Sequence, residues 1–67
     1  MIAFTLNGEV RQLEKPMAIA QLLENLGYAG KRVAVEMNGE IVPKSLHAAT
    51  PIEPGCHIEI VVAVGGG

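Results

Sequence analysis

The stretch His57-Ile58-Glu59-Ile60-Val61-Val62-Ala63-Val64 decides how this chain folds. Ile58, Ile60, Val62 and Val64 alternate with His57, Glu59, Val61 and Ala63, the period of two that marks a β-strand. One face is wholly aliphatic, and the other still carries Val61 and Ala63. A strand this apolar belongs in the middle of a sheet, covered by neighbours. Pro54-Gly55 just before it is a turn signal.

Two hairpins lie upstream. Met1 to Leu6 alternates, with Ile2, Phe4 and Leu6 on one face, and Asn7-Gly8 follows. Lys31 to Asn38 alternates in the same way through Val33, Val35 and Met37, and Asn38-Gly39 follows. Asn-Gly tolerates the positive φ of a type I′ turn, so each pair predicts a tight reversal. The first return strand, Glu9 to Glu14, has Val10 and Leu13 on opposite faces and is expected to be exposed or bulged. The second, Glu40-Ile41-Val42, stops at Pro43, which suits an edge. Ser45 to Pro54 is irregular, with one short helical turn.

Between the hairpins, Ile19, Leu22, Leu23 and Leu26 fall at i, i+3, i+4 and i+7, one apolar helical stripe. Pro16 is the expected first helical residue. Gly27 is placed to end the helix in the left-handed conformation, with Tyr28 folding back onto Leu23. No Ser, Thr, Asp or Asn precedes Pro16 to cap the first turn. The order β-β-α-β-β-β supplies one sheet and one helix, so the helix must cover one face of that sheet. Two hairpins alone do not fix the strand order; the arrangement that satisfies the burial pattern, and the expected class, is an α+β β-grasp, a mixed sheet of about five strands with the first and last strands parallel at its centre.

Composition narrows the chemistry. The chain has 67 residues and a net charge of −2, which gives no footprint for nucleic acid or an anionic membrane. All seven acids are Glu, and the stock of nucleophiles and bases is Ser45, Cys56, His47 and His57. A Ser-His-carboxylate site would consume nearly all of it. The single cysteine rules out an internal disulfide and a Cys-x-x-Cys pair, and the two histidines stand ten positions apart, so no metal site is expected. Neither glycine-rich phosphate loop is present, and so small a chain leaves little room for a pocket of ligand size. The longest apolar run, Ile60 to Val64, cannot span a membrane, and no basic start followed by an apolar stretch marks secretion. The expected location is the cytoplasm. If this chain takes part in chemistry, it does so as a partner or substrate.

The end of the sequence carries that chemistry. Residues 1–64 make the fold, and Gly65, Gly66 and Gly67 read as a flexible tail. Glycines there pack nothing and cost entropy to order. Extended, three residues reach about 10 Å, and without Cβ atoms they thread a channel too narrow for other residues. The group they deliver is the carboxylate of Gly67. A carboxylate is a poor acyl donor until its oxygen becomes a leaving group, normally by adenylation with ATP. The chain lacks the parts for that step, so a partner enzyme must perform it.

The segments Val33-Ala34-Val35-Glu36-Met37-Asn38-Gly39-Glu40-Ile41-Val42-Pro43-Lys44 and Ile58-Glu59-Ile60-Val61-Val62-Ala63-Val64-Gly65-Gly66-Gly67 are similar to the ubiquitin-like sulfur carriers of the ThiS/MoaD family, in particular its thiamine branch. The Leu22-Leu23-x-x-Leu26-Gly27 helix end and the first strand with Asn7-Gly8 also fit, so the resemblance covers essentially the whole chain. It implies a ubiquitin-like fold and a role as co-substrate rather than enzyme. An E1-like adenylyltransferase (ThiF-like) adenylates Gly67 at the expense of ATP. Sulfur from a cysteine persulfide, made by a cysteine desulfurase, replaces the AMP and leaves a thiocarboxylate. A thiazole synthase (ThiG-like) then takes the sulfur into the thiazole of thiamine. No cofactor, nucleic acid or membrane is implied for the carrier itself. The chain departs from the family at Pro54-Gly55-Cys56, where Asp-Gly-Asp is common, and at the helix start, which lacks the usual Thr. The alternatives are a molybdopterin-type or other sulfur carrier, or a non-catalytic β-grasp module that binds protein while its tail is inert.

Among the remaining residues, Val61 and Ala63 point away from the helix by parity. With Val64 they form the candidate docking patch beside the tail. Cys56 reads as an incidental small turn residue, and His47 and His57 as surface residues. Arg11, Lys31, Arg32 and Lys44 read as solvated charges, any of which can rim an interface.

Overall fold

A computed structural model describes residues 1–63. Val64, expected as the last strand residue, and the tail Gly65–Gly67 lie outside the described residues. The elements follow the expected order: β1 (Ile2–Leu6), β2 (Glu9–Leu13), α1 (Ile19–Asn25), β3 (Val33–Met37), β4 (Glu40–Val42), a 3-10 turn (Lys44–Leu46) and β5 (His57–Val62). The sheet runs β2-β1-β5-β3-β4. β1 and β5 are parallel at its centre, and β5 is antiparallel to β3 on its other side. This is the β-grasp arrangement, with the most apolar strand in the middle and β4 at an edge.

Both Asn-Gly pairs make left-handed turns, with φ of 49° and 83° at Asn7-Gly8 and 53° and 84° at Asn38-Gly39. The resulting β1–β2 register is unbroken from Ile2–Leu13 to Leu6–Glu9, so β2 is exposed as expected but carries no bulge. Phe4, Leu6, Val35, Ile58 and Ile60 face the helix and close a core with Ile19, Leu22 and Leu23. Each such side chain is worth about 1.5–3 kcal/mol when fully removed from water.

The helix starts later than the sequence predicts. Its first residue is Ile19, and Pro16 lies before the cap. The segment 47–52 holds that start from the outside: Ile52 N–H bonds the Met17 carbonyl (2.9 Å), Ile19 N–H bonds Thr50 O (2.9 Å), and Ala20 N–H bonds His47 O (2.9 Å). Two of the orphan donors of the first turn are therefore met by a distant backbone rather than by a side-chain cap. Gln21 Oε1 reaches back to Ala18 N–H at 3.2 Å. The other end behaves as read. Gly27 has φ 82°, its N–H bonds Glu24 O (3.0 Å), and Tyr28 N–H bonds Leu23 O (2.8 Å). That pair of bonds is the Schellman closure of a helix.

Candidate functional site

The site is built around the end of β5. Its last described link to the sheet is Ala63 N–H donating to Arg32 O at 2.9 Å. Up to Ala63 the central strand is fixed from both sides. Arg32–Ala63 and Asn38–His57 are hydrogen-bonded across β3–β5. By the alternation of an antiparallel ladder, Val35–Ile60 between them is a non-bonded pair. The N–H and C=O of Ile60 thus point toward β1, but the β1–β5 pairing ends at Leu6–Ile58. The Asn7 side chain fills the gap. Its Oδ1 accepts from Ile60 N–H at 2.8 Å, and its Nδ2 donates to Ile60 O at 3.3 Å. Asn38 does half as much on the other flank, its Oδ1 accepting from His57 N–H at 2.9 Å. Sequence reading identified both asparagines as turn formers and missed that their amides clamp β5.

The face of the sheet opposite the helix carries His57, Glu59 and Val61 from β5, with Ala34 and Glu36 opposite them on β3 and Ile41 beyond on β4. Val61 is 63% exposed and Ile41 73%, and Ala63 is exposed as parity predicts. Glu36 and Glu59 stand directly opposite each other on this face. Like charges in that position are destabilising by a few tenths of a kcal/mol, up to about 1. The register would have found this pair from sequence once the strands were aligned. Val64 of the candidate patch, and Gly65, Gly66 and Gly67, lie outside the described residues.

Two readings are corrected. His47 is not a surface residue. It is 8% exposed, with ring Nε2 3.0 Å from Val42 O, so Nε2 is the protonated nitrogen and donates. Its ring holds the end of β4 while its carbonyl holds the start of α1. Cys56 is not an incidental turn residue. It is 5% exposed within the core, and its carbonyl accepts from Thr5 N–H at 2.9 Å. A thiol packed there is shielded from reagents. His57 is exposed, as read. Among the described residues no group of three His, Cys, Asp or Glu comes together to hold a metal ion, and no helix is long and apolar enough to cross a membrane. So small a chain is expected to leave little room for a pocket of ligand size, and one open hollow bears on that. An open groove of about 390 Å³ lies beside the C-terminal end of α1.

Comparison with known proteins places these features in context. The ThiS family model matches residues 4–67. The chain is 45% identical over 62 residues to a thiazole synthase of Paramagnetospirillum magneticum, a match covering 92% of this chain and 19% of that protein. The chain thus spans about a fifth of that relative's length. It is 35% identical over 66 residues to the uncharacterized protein ycf40 of Pyropia yezoensis, covering 98% of this chain and 93% of that one. A crystal structure of the thiamine biosynthesis protein ThiS from Geobacter metallireducens superposes with a TM-score of 0.82 at 29% identity, covering 98% of this chain and all of the other.

Proposed function

The chain belongs to the ThiS family, and on that premise we propose that it is a sulfur carrier of thiamine biosynthesis acting in the cytoplasm. The reactive group is the carboxylate of Gly67. An E1-like adenylyltransferase transfers AMP from ATP to that carboxylate and releases pyrophosphate. The acyl carbon then carries a good leaving group: the terminal sulfur of a persulfide made by a cysteine desulfurase attacks that carbon and expels AMP. A second thiol from the partner proteins cleaves the resulting acyl disulfide, forming a disulfide with the persulfide's inner sulfur and releasing the thiocarboxylate. Thiazole synthase consumes the sulfur and returns the carboxylate. The carrier is a co-substrate throughout and binds no cofactor of its own.

The observation that carries this reading is the family match, which runs through Gly65, Gly66 and Gly67 rather than stopping at the fold. The occurrence of a segment like this chain within proteins called thiazole synthase supports that enzyme as the receiving partner. The scarcity of nucleophiles and the burial of Cys56 and His47 agree with a protein that is acted upon. Val61, Ala63 and Val64 are the docking patch in this reading, because the exposed outer face lies beside the point where the tail leaves β5. Gly65 and Gly66 are the threading residues.

Intact-mass measurement tests the reading. Incubation with an E1-like adenylyltransferase, ATP and a persulfide source raises the mass by one oxygen-to-sulfur exchange, mapped by fragmentation to Gly67. An unchanged mass with a partner active on its own carrier refutes it.

A further inference from the structure

Three of the five cationic residues of this acidic chain meet at one place. Lys31, Arg32 and Lys44 rim the groove of about 390 Å³, whose apolar lining includes Leu23, Tyr28 and Val33. Its size lies within the range of specific binding sites. No acidic side chain lines it. Among the described residues the one ion pair joins Arg11 to Glu9 at 4.0 Å, elsewhere on the molecule, so the three rim cations have no acidic partner among those residues. The groove lies next to the working end: Arg32, on its rim, is the residue whose carbonyl holds Ala63.

We propose that this groove receives an acidic segment, carrying at least one apolar side chain, from the enzyme that modifies the tail. This rests on the carrier reading and extends it by a second contact, separate from the outer sheet face. Lys31, Arg32 and Lys44 meet the carboxylates, and the apolar side chain fills the hollow between Leu23, Tyr28 and Val33. An enzyme holding Gly67 is within about 15 Å of Ala63, because four residues extend no further. The same protein can therefore span tail and groove. The chain's net charge of −2 and the apolar lining favour a protein segment over nucleic acid.

The test compares the triple variant Lys31→Gln/Arg32→Gln/Lys44→Gln with the control Arg11→Gln/Lys15→Gln, full-length chain in each case. The readout is the carrier concentration giving half-maximal adenylation by the purified E1-like enzyme, at low and high salt. The groove variant needs about tenfold more carrier at low salt and loses the salt dependence of the wild type, whereas the control stays within about twofold. All three rim residues are exposed, so melting temperatures should be unaltered. Independently, titrating the 15N-labelled wild type with that enzyme shifts the amides of Lys31, Arg32 and Ala48, and AMP alone does not. Equal behaviour of groove and control variants, or the same shifts with AMP alone, overturns the proposal. If the wild type itself acquires no sulfur, the carrier reading fails instead, so the two failures are distinguishable.

Discussion

Replacing Asn7 by glycine isolates the clamp on β5, because glycine accepts the left-handed φ of 49° without strain. Only the amide is lost, and with it both contacts to Ile60, at 2.8 and 3.3 Å. Both contacts are part-buried, so water replaces them only in part. An orphaned buried donor costs about 1–3 kcal/mol, and the longer contact adds about 0.5. Greater freedom of glycine in the unfolded chain adds a further 0.5 or so, offset by easier adoption of the left-handed conformation. The net loss is about 2 kcal/mol, a large part of the stability of so small a domain. For a domain of this size that lowers Tm by about 8–16 °C. Asn38→Gly is the matched control, with φ 53° and one exposed 2.9 Å bond to His57 N–H, and it should cost about 0.5–1 kcal/mol. Urea denaturation followed by circular dichroism gives both values, and hydrogen exchange at the Ile60 amide reports the clamp itself. Equal losses in the two variants, or an Ile60 amide that stays protected in Asn7→Gly, would show that the clamp contributes nothing.

Deleting Gly67 abolishes sulfur transfer in the intact-mass assay while Tm stays within a degree or two; a large fall in Tm would make the tail structural. Val61→Arg, on an exposed outer-face position, changes stability by no more than about 0.5 kcal/mol but weakens binding to the adenylating enzyme in a pull-down or calorimetric titration. Unaltered binding removes Val61 from the docking patch. Cys56 resists a thiol reagent in the native state and reacts in denaturant, and Cys56→Ser costs about 1–3 kcal/mol by placing a hydroxyl in the core. Rapid native labelling would contradict its burial.

What the sequence made legible was what local rules govern. The Asn-Gly turns, the apolar stripe Ile19-Leu22-Leu23-Leu26, the Gly27 stop and the alternation of β5 through Val62 each depend on a few neighbouring residues, and each stands where the reading put it. The misses share one cause. The helix begins at Ile19 because carbonyls of Thr50 and His47 bond its first N–H groups, and those residues are about thirty positions away. His47 is buried for the same reason, between the ends of α1 and β4. Cys56 sits in the core because β5 begins against β1 there, a pairing between opposite ends of the chain. Lys31, Arg32 and Lys44 look scattered until the fold joins the loop after α1 to the 3-10 turn. No periodicity over ten or so residues reports such contacts. Of the candidate site, Val61 and Ala63 are exposed as parity predicts, whereas Val64, Gly65, Gly66 and Gly67 lie outside the described residues.

The two faces of the sheet obey different rules, and the difference bears on function. On the helix side every central position agrees with every other: Phe4, Leu6, Val35, Ile58 and Ile60 are buried and aliphatic or aromatic, and Asn7 satisfies the backbone groups of Ile60 that β1 leaves open. On the other side a local rule is broken. Glu36 faces Glu59 with no cation from the neighbouring strand positions, beside the exposed Val61 and Ile41. Sheets selected for stability alone place opposite charges or β-branched pairs there. Consistency on one face and conflict on the other is the pattern expected when one side specifies the fold and the other answers to something outside it. If so, Glu36→Lys raises Tm at low salt by removing the repulsion while impairing partner binding, a trade that a purely structural surface would not show. A variant that gains stability and loses no binding would return the outer face to the status of ordinary solvent-exposed sheet.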